Sequence, residues 1–281
     1  MKEKELIDSL IDLSFAEDIG DGDHSTLSSI PDTAVGKARL LIKEKGILAG
    51  VEVAEAVFLK FDSELQIRVF IRDGAQVNPG DVAFTVEGKV RSLLQTERLV
   101  LNIMQRMSGI ATVTNRYVKL LEGTKAKVLD TRKTTPGMRI LEKQAVKIGG
   151  GYNHRIGLFD MILLKDNHVD FAGGIAKAIR GAQDYLKEKG KDLKIEIEVR
   201  NLDELNEALL VGVVDRIMLD NFTPEQTRKA VEIVNERVEL ESSGGITLDT
   251  IRQYAETGVD YISVGALTHS VKSLDMSLKA V

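Results

Sequence analysis

The sequence predicts an α/β protein in which a small mixed α+β unit precedes a larger parallel α/β unit. Two observations carry that reading. From Lys125 onward, short apolar runs rich in β-branched residues alternate with helical stretches, whereas the first third has few strands and no such regularity. Each of these runs also gives way to polar or glycine-rich residues, as parallel strands do where their carboxyl ends carry ligand loops.

The elements follow in order. Leu6–Phe15 reads as a helix, with Leu6, Ile7, Leu10 and Leu13 on one face, and the acidic loop Glu17–Asp23 comes next. Alternation in Lys37–Ile42 and Gln66–Ile71 predicts strands, with a helix over Val51–Phe61 between them. The turn signals Asp73-Gly74 and Asn78-Pro79-Gly80-Asp81 precede a strand at Val82–Val86. Asp73–Gly88 thus has the look of a hairpin, structural in role because its turn carries no modifiable lysine. A helix starts near Ser92, is interrupted at Ser108-Gly109, and resumes through Leu121. The domain boundary is placed here, giving domains 1–110 and 111–281, with the segment after about 270 packing back on the first.

Six strands are expected in the second unit: Ala126–Leu129, Met161–Leu164, Ile195–Val199, Arg216–Leu219, Val238–Leu240 and Tyr261–Val264. Helices at Leu202–Leu210, Thr223–Val234 and Leu248–Thr257 separate the later ones. Six strands are too few for a complete eight-stranded barrel, so an incomplete or modified barrel is expected, with a doubly wound sheet as the competing fold.

Composition narrows the function. The 281 residues are 43% hydrophobic and 29% charged, ordinary for a globular chain. No run approaches the roughly 18 apolar residues of a membrane span. Met1-Lys2-Glu3-Lys4-Glu5 mixes charges and leads into a helix, unlike a signal peptide. With no cysteine, disulfides, thiolate nucleophiles and zinc–cysteine sites are excluded, which fits a cytoplasmic location. A net charge of -5 argues against a general nucleic-acid-binding surface. Against that background Asp130–His168 stands out, with seven Lys/Arg (Arg132, Lys133, Arg139, Lys143, Lys147, Arg155, Lys165) and only four acids.

The strand ends carry the chemistry. Asp130-Thr131-Arg132-Lys133 follows the first and Lys165-Asp166-Asn167-His168 the second, with Asn153-His154-Arg155 in the loop between. Guanidinium matches carboxylate bidentately and lysine adds a compact charge, so these cations suit a dicarboxylate or a phosphate-rich ligand. Taken singly, each could be a surface cation. Glu198 and Asp220 end adjacent strands, where they could hold Mg²⁺ against substrate phosphates or contact ribose hydroxyls, or else neutralise Lys133 or Lys165. Glu196 shares the parity of Glu198 but lies within its strand and ranks below it. Ser243-Gly244-Gly245 and Val264-Gly265-Ala266 follow the last strands, where glycine lets backbone N–H groups approach a phosphate and the next helix start favours its charge. The histidines lack metal-ligand spacing: His154 is read as a substrate hydrogen-bond donor, His168 and His269 as loop-ordering, and His24 as a turn cap.

At these residues the chain resembles the quinolinate phosphoribosyltransferase (nicotinate-nucleotide pyrophosphorylase, carboxylating) family over nearly its whole length. The match includes Glu97-Arg98, Ser108-Gly109-Ile110-Ala111-Thr112, Asp130–Gly137, Gly149–Arg155, Lys165–His168, Leu219–Phe222, Glu241–Ile246 and Val264–Ser270. The resemblance implies an N-terminal α/β sandwich plus an incomplete α/β barrel, and a homodimer whose active site is completed across the interface. By motif, Arg98 would reach the neighbouring subunit's quinolinate, while Thr131, Arg132, Lys133, His154, Arg155 and Lys165 would line the dicarboxylate pocket. Glu198 and Asp220 would serve the ribose and Mg²⁺–pyrophosphate side of phosphoribosyl pyrophosphate, and Ser243–Gly245 with Val264–Ala266 its 5′-phosphate. Lys133, Lys165, Glu198 and Asp220 would be catalytic. The alternatives are a related phosphoribosyltransferase with another acceptor, a Schiff-base lyase using Lys133 or Lys165, and a non-catalytic sugar-phosphate sensor.

Overall fold

The computed structural model describes residues 3–281, so Met1 and Lys2 of the charged N-terminal stretch lie outside it. In chain order its elements are α1 (Glu3–Ile19), α2 (His24–Ser29), β1 (Val35–Ile42), β2 (Gly46–Ile47), α3 (Val51–Phe61), β3 (Gln66–Val69), β4 (Gln76–Val77) and β5 (Val82–Lys89). Then come α4 (Val90–Leu120), β6 (Lys127–Leu129), α5 (Arg139–Ile148), β7 (Ile162–Leu164), α6 (Asp166–Ala172), α7 (Ile175–Lys189), β8 (Ile195–Val199) and α8 (Leu202–Val211). The last are β9 (Arg216–Asp220), α9 (Pro224–Val234), β10 (Glu239–Ser243), α10 (Ile251–Ala255), β11 (Tyr261–Ser263), α11 (Ala266–His269) and β12 (Met276–Ala280). Two compact units result, neither of them one continuous stretch: 1–115 with 134–150 and 267–281, and 116–133 with 151–266.

The first unit is built on an antiparallel sheet of order β12-β1-β5-β3. Alternation sorts its side chains as a half-buried strand requires: Ala38, Leu40 and Ile42 of β1 are buried, while Lys37 and Arg39 face out. Phe84 of β5 meets Phe58 of α3 edge-on, with ring centroids 5.9 Å apart. The C-terminal tail forms β12, which pairs with β1 in register Leu40↔Leu278.

Two sequence expectations fail here for identifiable reasons. No hairpin spans Asp73–Gly88, because β4 pairs with β2 while β5 inserts between β1 and β3. Nor does α4 break at Ser108-Gly109. Ser108 Oγ accepts from the Ala49 amide at 2.9 Å and donates to its carbonyl at 3.1 Å. A Cβ on Gly109 would collide with the Lys272 carbonyl oxygen. The small residues therefore serve close packing inside a continuous helix, which offsets the roughly 1 kcal/mol that glycine costs there. A further helix, α5, occupies the cation-rich stretch, burying Ile140, Leu141, Ala145 and Val146.

The second unit holds a parallel sheet of order β6-β11-β10-β9-β8-β7. In chain order the strands run around the sheet sequentially and stop with β6 and β7 as its two edges. That is an incomplete barrel, and the sequential order rules out a doubly wound sheet. Ile197, Ile217 and Ile262 are fully buried on the alternate, apolar set of strand positions; each such side chain contributes about 1.5–3 kcal/mol. The surrounding helices are terminated locally. Asn201 caps α8 by accepting from the Glu204 amide at 2.9 Å, and Thr223 with Gln226 forms a capping box on α9. The helix expected at Leu248–Thr257 is shorter, because Thr247 and Thr250 bond to each other in a turn ahead of α10. Among the described residues no helix is long and apolar enough to cross a membrane.

Candidate active site

The parallel register places a second, charged set of strand positions on the face opposite those isoleucines. Glu196 pairs in register with Arg216, and Arg216 with Glu239; Glu198 aligns with Met218, and Met218 with Glu241. Asp220 aligns with Ser243, one level above Glu198 on the same face. Charge buried at this density is costly unless paired, and its members do pair. Arg216 Nη1 is 3.0 Å from Glu241 Oε2, and its guanidinium lies over the Tyr261 ring at 3.9 Å. Glu196 and Glu241 are wholly buried, and burial pushes both carboxyls up to about 7.

The two edges of the sheet bring the cationic loops in. Tyr152 forms a parallel bridge to Leu129, with its amide on the Val128 carbonyl at 2.9 Å. This carries Asn153-His154-Arg155 alongside the end of β6. Buried Asp130 accepts the His154 amide at 2.9 Å. Asp160 fastens the far side, accepting the Ile156 and Gly157 amides at 2.7 and 2.9 Å. Arg155, held between them, donates from Nη1 to the Met161 carbonyl at 3.1 Å. Burial, and then the nearby Arg132 guanidinium, hold the Arg155 pKa below its ordinary value. Arg132 Nε is itself buried without a hydrogen-bond partner. Two like charges that act on each other, one with an orphaned donor, suit an anion as their partner.

Lys165 sits just past β7, half exposed, with Nζ 3.0 Å from Glu198 Oε2. The neutralising role foreseen for Glu198 is thus realised with Lys165. Lys133 is exposed after β6, its amide donating to Thr131 Oγ1 at 3.1 Å. Asp220 accepts from Asn221 Nδ2 at 2.7 Å. At the last strand ends Gly244 adopts φ 104°, and a Cβ there would collide with the Asn221 carboxamide, so the chain requires glycine. Gly245, at φ 60°, faces open space. The helix expected directly after these glycines begins only at Ile251, whereas α11 does start right after Gly265.

All but one of the foreseen site residues lie in this unit. Arg98 is on α4 in the other unit, exposed on the helix surface. Of the seven cations counted between Asp130 and His168, Arg139, Lys143 and Lys147 lie on α5 in that same other unit. His168, read as loop-ordering, lies in the first turn of α6 and caps it, its Nδ1 accepting the Lys165 amide at 2.9 Å, and His269 Nδ1 lies 2.6 Å from Ser270 Oγ. His24 belongs to α2, which Asp23 caps at 3.1 Å. Sequence reasoning passed over Asp130, Glu241 and Arg216. The signal for the last two was a charge within a short strand that also carries apolar residues.

The chain is similar to known proteins along nearly its full length. The family models described as "Quinolinate phosphoribosyl transferase, N-terminal domain" and "C-terminal domain" match residues 23–108 and 110–279. A Nicotiana tabacum protein named quinolinate phosphoribosyltransferase [decarboxylating] 1b is 44% identical over 96% of this chain and 81% of its own. A Bacillus subtilis (strain 168) protein named probable nicotinate-nucleotide pyrophosphorylase [carboxylating] is 42% identical, over 96% of this chain and 91% of its own. The crystal structure of NadC from Streptococcus pyogenes superposes with a TM-score of 0.93 at 41% identity, covering 100% of this chain and 99% of that one. Matched by both domain models and along nearly its full length, the chain belongs to the quinolinate phosphoribosyltransferase family.

Proposed function

We infer that the chain transfers the phosphoribosyl group of phosphoribosyl pyrophosphate to quinolinate, with decarboxylation, in NAD biosynthesis. It is a pentosyltransferase, and its products are nicotinate mononucleotide, pyrophosphate and CO₂. The observation that carries the acceptor assignment is the Arg132–Arg155 pair with its orphaned buried Nε, which matches two adjacent ring carboxylates.

The residues divide the work. Arg132 and Arg155 orient the dicarboxylate, with His154 and Thr131 beside them and Lys133 and Lys165 adding charge. The pyridine nitrogen attacks the anomeric carbon as the bond to pyrophosphate breaks, and the lysines balance the charge that leaves. This is catalysis by positioning and electrostatics. The C2–carboxylate bond then breaks, its electron pair is held by the adjacent pyridinium, and a solvent proton replaces CO₂. Ser243–Gly245 and Val264–Ala266 receive the 5′-phosphate, which the open space at Gly245 supports.

Mg²⁺ fits the oxygen donors at the ends of β8 and β9, since this ion takes one or two carboxylates together with substrate phosphates. Glu198 and Asp220 would hold it, and it would supply neutralising charge to the pyrophosphate oxygens. The working unit is a homodimer in which exposed Arg98 of one subunit completes the other's pocket, and a cysteine-free chain suits the cytoplasm. The test mixes quinolinate, phosphoribosyl pyrophosphate and Mg²⁺ and follows nicotinate mononucleotide and CO₂ together. Equal amounts of both are expected, with loss of both in excess EDTA and recovery on adding Mg²⁺. Consumption of nicotinate in place of quinolinate would overturn the acceptor assignment.

A further inference from the structure

His154 is read from the sequence as a donor to substrate, but one ring nitrogen is bonded within the protein and the other faces buried carboxylates. Nδ1 lies 2.7 Å from the Arg155 backbone nitrogen. That amide can only donate, so Nδ1 is the acceptor and carries no proton. The remaining nitrogen, Nε2, is 2.9 Å from Glu196 Oε2 and 3.5 Å from Glu241 Oε2. The ring is thus fixed with Nε2 turned toward the buried carboxylates and Nδ1 toward the pocket loop. Its side chain is 5% exposed and both carboxylates are wholly buried.

The same device occurs at the neighbouring cation. The Lys165 amide donates to Nδ1 of His168 at 2.9 Å, so two pocket cations each have their own backbone N–H held by a histidine. Around His154 the hold is more complete. Its amide is tied to Asp130 at 2.9 Å, and Arg216, 3.0 Å from Glu241, anchors the carboxylates beneath. Arg216 already supplies the positive charge that a metal among these three groups would bring.

We propose that Glu196 and Glu241 act as positioning residues: they orient the His154 ring, and through its Nδ1 they fix the backbone of Arg155, which, unlike His154, touches the acceptor. This deepens the functional reading above and rests on Arg155 as an acceptor ligand. A ring held this way has Nδ1 committed to the Arg155 amide and Nε2 set against two buried carboxylates.

Ring ¹⁵N spectra of the wild-type protein test this directly, with phthalate as the probe, an aromatic 1,2-dicarboxylate that lacks the reacting nitrogen. The expected result is that His154 remains the Nε2–H tautomer, with Nδ1 as acceptor, while the Arg155 Nε–H signal moves. A change of His154 tautomer, or its conversion to the doubly protonated ring on binding, would overturn the proposal while leaving the pocket assignment standing. An unmoved Arg155 signal would remove the pocket assignment and the proposal with it. Kinetics give an independent reading. E196L should raise KM for quinolinate about 30-fold, with KM for phosphoribosyl pyrophosphate within about 2-fold. E196Q, which keeps a polar oxygen beside Nε2, should recover most of that loss, and an E196Q as impaired as E196L would count against the mechanism.

Discussion

The two sheets of this chain distribute charge in opposite ways. In the four-stranded antiparallel sheet, β1 buries Ala38, Leu40 and Ile42 and turns Lys37 and Arg39 outward. In the six-stranded parallel sheet, β8 buries both its isoleucines and its glutamates, one set on each face. The first arrangement stabilises by removing apolar area from water. The second spends part of that gain, since each buried charge needs a partner. A sheet that carries Glu196, Arg216 and Glu241 within it is therefore organised around a ligand, and the antiparallel sheet around stability.

Substitutions that respect this contrast should separate activity from folding. The largest effects belong to the parallel sheet's strand ends. Lys165→Ala should lower kcat/KM about 1,000-fold, and Lys133→Ala about 100-fold, because each removes charge matched to the departing pyrophosphate. Both side chains are at least partly exposed, so melting temperatures should stay within about 2 °C of wild type. Wild-type turnover by either variant would break the comparison.

Arg98 sharpens it, as the one foreseen ligand outside the barrel unit. Arg98→Ala and Lys165→Ala should each be nearly inactive alone. Mixed and allowed to exchange subunits, they should recover about a quarter of wild-type activity, because half the dimers then hold one intact site. No recovery despite proven exchange would place Arg98 in its own subunit's site or in none. The smallest catalytic effect is expected at Gly109, where a methyl group would press on the Lys272 carbonyl. Gly109→Ala should cost about 1–3 kcal/mol of stability in thermal or urea unfolding, with turnover per folded molecule within about twofold.

Much of this division is legible in the amino-acid sequence, and the exceptions share a cause. The α3 helix and strand β8 follow from local periodicity alone, down to their end residues. Gly109 misleads because a glycine inside a helical pattern reads locally as a break, while its reason lies far along the chain at Lys272. The cations from Asp130 to His168 are likewise divided by long-range folding, since α5 carries three of them into the other unit. His154 shows the same limit more subtly. Its place among ligand loops is visible, but the carboxylates beside its ring come from β8 and β10, and only the parallel register brings them there. Composition indicates that a site exists; which side chains face the substrate depends on long-range pairing.

The central claim is that Arg132 and Arg155 together form the acceptor's dicarboxylate receptor. Calorimetric titration of quinolinate without phosphoribosyl pyrophosphate tests it most directly, comparing wild type with Arg132→Ala and Arg155→Ala. Each charge-assisted contact is worth about 1.5–3 kcal/mol, so each variant should bind at least about 10-fold more weakly, and the double variant should show no measurable heat. Affinity unchanged in either single variant would contradict the account.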